Sequence, residues 1–218
     1  MKNIVILISG RGSNFEAILE ASRAEQWESA VPARIAAVIS NRPLAKGLET
    51  ARREGIEAIA VDHTLYPDRE SFEEELGRVV DRYNPDLIVL TGLMRILTEK
   101  FVKPREGRIL NIHPALLPLF KGLNTHERAL EAGVRVHGST VHFVSAALDG
   151  GAIIGQAVVP VLPSDTPDTL AARGLKLEHV IYPKVCRAVL EDRVKLVNGK
   201  AVMDDETARS LAVFSNEL

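Results

Sequence analysis

From Asn3 to Ser9 the chain runs Asn-Ile-Val-Ile-Leu-Ile-Ser, an unbroken apolar core between polar ends. A strand that must be covered on both faces reads this way, whereas a half-exposed strand alternates. After Gly10-Arg11-Gly12-Ser13-Asn14 the spacing changes to helical over Phe15–Glu20. The same exchange then repeats. A strand is predicted over Arg34–Ser40, a helix over Leu44–Glu54 closing at Gly55, and a short strand over Glu57–Val61. An amphipathic helix over Ser71–Tyr83 stops at Asn84-Pro85, and a buried strand follows over Asp86–Thr91. Arg108–Ile112 is a further strand, stopped by His113-Pro114, and a helix from about Thr125 to Glu131 closes at Gly133. Strands alternating with helices predict an α/β fold: a Rossmann-like parallel sheet with helices on both faces and ligands at the carboxyl ends of the strands.

Past Gly133 the pattern shifts. Val134–Val144 and Ile153–Val161 are β-branched runs separated by Leu148-Asp149-Gly150-Gly151, and Asp-Gly between strands is a hairpin signal. The parallel sheet is therefore expected to be extended by antiparallel strands in the C-terminal half. Pro167–Leu190 reads as a long helix, weakened at Gly174 and kinked at Pro183. A small hairpin is expected at Asn198-Gly199, then a tail over 204–218 that is a loose helix or disordered.

Composition removes several classes of function. The 218 residues carry a formal net charge of -2 and form no basic run, which argues against nucleic acid as a partner. No apolar run reaches membrane-spanning length and no signal-like pattern opens the chain. Cys186 is the one cysteine, so no internal disulfide forms and a reducing, cytoplasmic setting is expected. His137 and His142 lie five apart and would face opposite ways on a regular strand; with no Cys cluster or His-Glu-x-x-His pattern, no metal site is expected. His63, His126 and His179 read as surface or helix-end residues.

Two stretches carry candidate chemistry. Strand, glycine-rich turn and helix at 4–20 make an anion site, because the free amides of a helix start point at the ligand. A tight turn with Ser13 or Asn14 as N-cap explains the same residues. A dinucleotide fingerprint would want glycine where Phe15 stands and an acidic residue where the second strand closes in Ser40-Asn41. The other stretch is Asn111-Ile112-His113. Residues two apart on a strand share a face, so a carboxamide and an imidazole leave one strand end together. That pair suits a carbonyl reaction, with donors for a developing oxyanion and a group that titrates near neutrality. Taken alone, a histidine that only caps the following loop is the better explanation.

The motifs in order resolve the choice. Leu7-Ile-Ser-Gly-Arg-Gly-Ser-Asn14, Gly92-Leu-Met-Arg-Ile-Leu97 and Asn111-Ile-His-Pro-Ala-Leu-Leu-Pro118 are joined by His137-Gly-Ser-Thr-Val-His142, Leu148-Asp-Gly-Gly151 and Glu178-His-Val-Ile-Tyr-Pro183. Together they resemble the phosphoribosylglycinamide formyltransferases of purine biosynthesis, from Ile4 to roughly Lys184. The resemblance implies transfer of the formyl group of 10-formyltetrahydrofolate, a co-substrate, to the amine of glycinamide ribonucleotide. It implies catalytic roles for Asn111, His113 and Asp149, with Asn111 and His113 on the oxyanion and Asp149 pairing with His113 and assisting proton transfer. Gly12, Ser13, Asn14 and Glu178 match the ribonucleotide side. Arg69, Met94, Arg95, Ile96 and Leu97, with Asn111, match the folate side. The implied organisation is one domain over 1–203, with a mononucleotide-binding half (1–113) and a folate and catalytic half (114–203). Partners are the two small molecules, with no nucleic acid or membrane, and the chain is expected to be a monomer or homodimer. Some relatives carry histidine where Asn124 stands. Related tRNA formyltransferases and formylfolate deformylases carry an extra C-terminal or N-terminal domain, for which this chain is read as having no room.

Overall fold

The computed structural model describes residues 1–216, and the chain divides into two compact units, Met1–Leu110 and Asn111–Leu218. In the first unit β1 (Lys2–Ile8), α1 (Ser13–Ala24), α2 (Trp27–Ala30), β2 (Ala33–Ser40) and α3 (Lys46–Arg53) come first. They are followed by β3 (Glu57–Ala60), α4 (Arg69–Asp81), β4 (Leu87–Leu90) and α5 (Glu99–Val102). The strands lie in the order β4-β1-β2-β3 and every pair is parallel. With neighbours on both edges, β1 carries Ile4, Val5, Ile6, Leu7 and Ile8, all 0 % exposed. Burying each of these side chains contributes roughly 1.5–3 kcal/mol, which explains the unbroken apolar run. The buried Phe15 fills the place where a dinucleotide fold needs glycine. Asn41, where such a fold places its acid, is buried too and accepts the Ser9 hydroxyl at 2.6 Å.

The strand β5 (Ile109–His113) spans the division between the units. The second unit continues with α6 (Thr125–Glu131), β6 (Val136–Phe143), β7 (Ile153–Pro160) and α7 (Pro167–Leu190). It closes with β8 (Lys195–Val197), β9 (Lys200–Val202), α8 (Asp205–Ser210) and β10 (Ala212–Phe214). Here β6 and β7 are antiparallel, as the β-branched runs suggest. They are joined by a long loop over 144–152 rather than by a tight Asp-Gly turn. The Asn198-Gly199 hairpin forms between β8 and β9.

The long helix forms over Pro167–Leu190 as expected and is continuous through Gly174 and Pro183. Thr166 and Thr169 close a reciprocal cap at its start, and the buried Tyr182 and Pro183 hold it in the core. The stretch after 204 is neither loose nor disordered over its described part. Asp204 caps α8, and β10 then adds to β7 as a parallel strand, with the Ser215 amide donating to the Val158 carbonyl at 2.9 Å. Residues 217 and 218 of that stretch lie outside the described residues. Cys186, on α7, is completely enclosed, and burial pushes its thiol well above the usual range.

Candidate active site

In the first unit the chain leaves β1 through Ser9 and turns at Gly12, whose φ of 74° is a left-handed conformation open to glycine at little cost. Gly12 is the N-cap of α1 and no side chain caps that helix. The N-cap role foreseen for Ser13 or Asn14 is therefore unfilled. The loop carries a cleft of about 210 Å³ lined by Ser9 to Asn14, Arg42, Thr91, Gly92 and Met94. Uncapped first-turn amides facing a polar cleft favour an anion, and the exposed Arg42 adds positive charge at its rim. Ser9 ties this loop to the next one, because its hydroxyl accepts the Met94 amide at 2.8 Å. Met94 and Ile96 stand exposed, while Leu97 is buried. Arg69 is the first residue of α4, and its guanidinium reaches the Ile96 carbonyl at 3.4 Å.

In the second unit β5 delivers His113 to a buried position, 5 % exposed. Its Nδ1 lies 3.4 Å from Asp149 Oδ2, and its Nε2 lies 2.9 Å from the Phe120 carbonyl. Acceptors face both ring nitrogens, and only the doubly protonated ring donates to both. Asp149 Oδ2 also accepts the Gly122 amide at 2.9 Å, so the 120–122 segment is fastened to both members of the pair. Asp149 itself sits at φ 45°, in the left-handed region that aspartate tolerates better than most residues.

Asn111 meets His142, with its Nδ2 3.3 Å from His142 Nε2. His142 Nδ1 lies 2.9 Å from the Phe143 carbonyl and must carry the proton, which leaves Nε2 to accept from the carboxamide. Burial lowers the His142 pKa and keeps the ring neutral, consistent with that arrangement. His137 and His142 have different neighbours: the His137 ring stands beside His126 and Phe120, and the His142 ring beside Asn111. The register of β6 against β7 shifts between Val141 and His142, and the residue it leaves unpaired, Ile154, belongs to β7.

Glu178 and three further histidines also have defined surroundings. Glu178 lies on α7, but it is buried and accepts the Ser139 hydroxyl at 2.9 Å rather than facing solvent. His126 begins near a helix end, as foreseen, yet is half-buried and stacks edge-on against His137 with ring centroids 5.2 Å apart. His63 is tied to the Asn41 carbonyl at 2.8 Å, and His179 turns a buried Nε2 inward. Among the described residues no cluster of His, Cys, Asp or Glu is arranged to hold a metal ion. No helix among them is long and apolar enough to cross a membrane.

Burial lowers the His137 pKa to about 4, and the neighbouring His126 adds to the shift. The unfolded chain takes up this proton near 6.5, before the folded one does, so folding stability falls as pH drops from 6.5 toward 4. His126, shifted the same way, adds to that slope, while the lowered carboxylates act only below the ordinary carboxylate range. Between pH 6.5 and 5 the thermal midpoint of His137→Gln is expected to fall less steeply than that of the wild type. Parallel slopes would remove His137 from the account.

The match to known proteins agrees with this geometry. Residues 2–186 match the Formyl transferase family. The chain belongs to that family. It is 44% identical over 204 residues to the phosphoribosylglycinamide formyltransferase of Escherichia coli, covering 94% of each chain. It is 42% identical to that of Haemophilus influenzae over 217 residues, covering 100% of both. The solved phosphoribosylglycinamide formyltransferase of Coxiella burnetii superposes with a TM-score of 0.88 at 42% identity, over 97% of this chain and 99% of that one. The fold is thus that of a formyl transferase: mostly parallel strands flanked by helices, with a small antiparallel sheet added. What sequence reasoning missed in this family member is the support around the named residues. Arg42 and Thr91 line the cleft, His142 holds Asn111, and Phe120 and Gly122 meet the His113–Asp149 pair through their backbones. The two backbone contacts carry no side-chain signature that a sequence can show.

Proposed function

We propose that this formyl transferase moves the formyl group of 10-formyltetrahydrofolate to the amine of glycinamide ribonucleotide, yielding formylglycinamide ribonucleotide and tetrahydrofolate in the cytoplasm. The observation that carries the reading is the buried pair of His113 Nδ1 and Asp149 Oδ2, 3.4 Å apart, with Asn111 on the same strand as His113. The amine attacks the formyl carbon, and the carbonyl oxygen takes up negative charge. Asn111 Nδ2 and a protonated His113 donate to that oxygen, the role in which losing one donor typically costs ~10²–10³ in turnover. His113 Nε2 must first exchange its bond to the Phe120 carbonyl for the substrate oxygen. Asp149 holds the other ring nitrogen and accepts, through water, the proton that the attacking nitrogen sheds. The tetrahedral species then collapses, the bond to folate N10 breaks, and N10 leaves with the proton that Asp149 returns through water.

Gly12, Ser13 and Asn14 would bind the ribonucleotide phosphate at the start of α1, and Glu178 would hold the substrate's polar groups. Met94 to Leu97 and Arg69 would take the folate, the apolar residues and backbone against the ring and Arg69 toward its glutamyl carboxylate. The test is a spectrophotometric transfer assay with a 10-formylfolate donor. Donor is expected to disappear only when glycinamide ribonucleotide is added. Donor loss with release of formate in its absence would make the chain a deformylase. Binding of both ligands without turnover would make it a sensor.

A further inference from the structure

Helix α4 presents Arg69, Phe72 and Glu73 at spacings of three and four residues, which is one face of a helix. Each of the three grips the 95–98 segment in a different way. Arg69 donates to the Ile96 carbonyl, the Phe72 ring lies 5.0 Å under the Arg95 guanidinium, and Glu73 takes both the amide and the hydroxyl of Thr98. At the other end of the segment the Ser9 hydroxyl accepts the Met94 amide.

Glu73 is the unusual member. It is 5 % exposed, and among the described residues its carboxylate has no cationic partner; Thr98 is what its oxygens meet. Removing a carboxylate from water without a counter-charge is costly, and an apolar residue would serve the buried face of α4 better. Packing of the helix therefore does not explain a carboxylate here. Its two oxygens are placed for one residue, and that residue ends the loop on which Met94 and Ile96 hold their side chains out, 67 % and 54 % exposed. Apolar side chains in water do not order a loop. Its backbone is held in place by the buried polar contacts at its two ends.

We propose that Glu73 is a positioning residue for folate: through Thr98 it fixes the backbone of 94–97 as a ready edge for the planar ring of the formyl donor. The inference rests on the folate role given to those residues above. Glu73 touches neither substrate. It acts mainly on the donor side, because the ribonucleotide loop at 10–14 is also held by other contacts, among them the Gly47 amide on the Gly10 carbonyl at 3.1 Å.

The experiment is steady-state kinetics of the full chain with each substrate varied in turn. Glu73→Gln, which keeps the shape but sets an amide against the Thr98 N–H, is expected to raise the KM for 10-formyltetrahydrofolate roughly ten- to hundredfold. The KM for glycinamide ribonucleotide and kcat should stay within about threefold, a split that general destabilisation would not produce. Should that variant fail to fold, Thr98→Val is expected to raise the same KM, and Thr98→Ser, which keeps the hydroxyl, to restore it. An unchanged donor KM in folded Glu73→Gln or Thr98→Val, or an equal rise in both KM values, overturns the proposal. A wild type that takes no formyl folate at all overturns the functional reading, and this inference with it.

Discussion

Replacing His113 by alanine is expected to lower kcat by ~10²–10³ while the chain still folds. The ring is buried at the end of β5 and aligned by two acceptors, the Asp149 carboxylate and the Phe120 carbonyl. In the proposed mechanism, taking it away removes the charged donor for the developing oxyanion, while Asp149 keeps its contact with the Gly122 amide. Asn111 would still donate, so turnover is expected to fall without vanishing. In that mechanism the three residues act as a unit. Asp149→Asn in the His113→Ala background should therefore cost far less than it does alone. Single-turnover rates at saturating substrates, with a thermal midpoint for each variant, make the check. A His113→Ala enzyme within threefold of wild type would remove the imidazole from the mechanism.

The second large effect is expected at Gly151. A Cβ there would lie 1.7 Å from the Phe143 carbonyl oxygen and 2.8 Å from its carbon, and both are backbone atoms. No rotamer change relieves that contact, so Gly151→Ala must push the 144–152 loop away from the end of β6. Forced overpacking of this kind costs about 1–3 kcal/mol, and here the displaced loop carries Asp149. Stability and turnover should fall together. Gly150→Ala offers a contrast, because its Cβ would meet the Ala147 side chain at 2.8 Å. Ala147→Gly should therefore relieve Gly150→Ala and leave Gly151→Ala unrelieved. The measurements are the thermal midpoint and kcat of Gly151→Ala and Gly150→Ala, each with and without Ala147→Gly. A Gly151→Ala enzyme that matches wild type in both would show that the loop has room to give.

Where a residue's surroundings lie close in sequence, the chain could be read directly. The apolar runs of β1 and β4, the Asn198-Gly199 turn and the full extent of α7 follow from local spacing and caps. Residues whose environment is supplied from elsewhere could not be read from local spacing alone. Glu178 looks like a solvated helix position until Ser139, distant in sequence, donates to it from β6. His142 shows no role in the sequence until Asn111, distant along the chain, meets its Nε2. Glu73 sits among the acidic residues of an amphipathic helix, and nothing nearby marks it as the one turned inward. The segment over 205–214 lacks a strong apolar pattern because α8 and β10 are short, and β10 is held as much by its pairing with β7 as by its own side chains. The Asp149 approach to His113 is the clearest case. Asp-Gly normally announces a tight turn, but here a longer loop carries the carboxylate to the imidazole.

The single cysteine has a practical meaning for all of these tests. Cys186 is sealed inside α7 with its thiol held in the unreactive, protonated form, so maleimides and similar alkylating reagents find no target on the folded chain. One cysteine introduced at the exposed Leu123 would take a fluorophore or spin label alone, without deletion of the native thiol. In the unaltered chain, slow labelling of Cys186 becomes a clock: its rate counts how often the core opens.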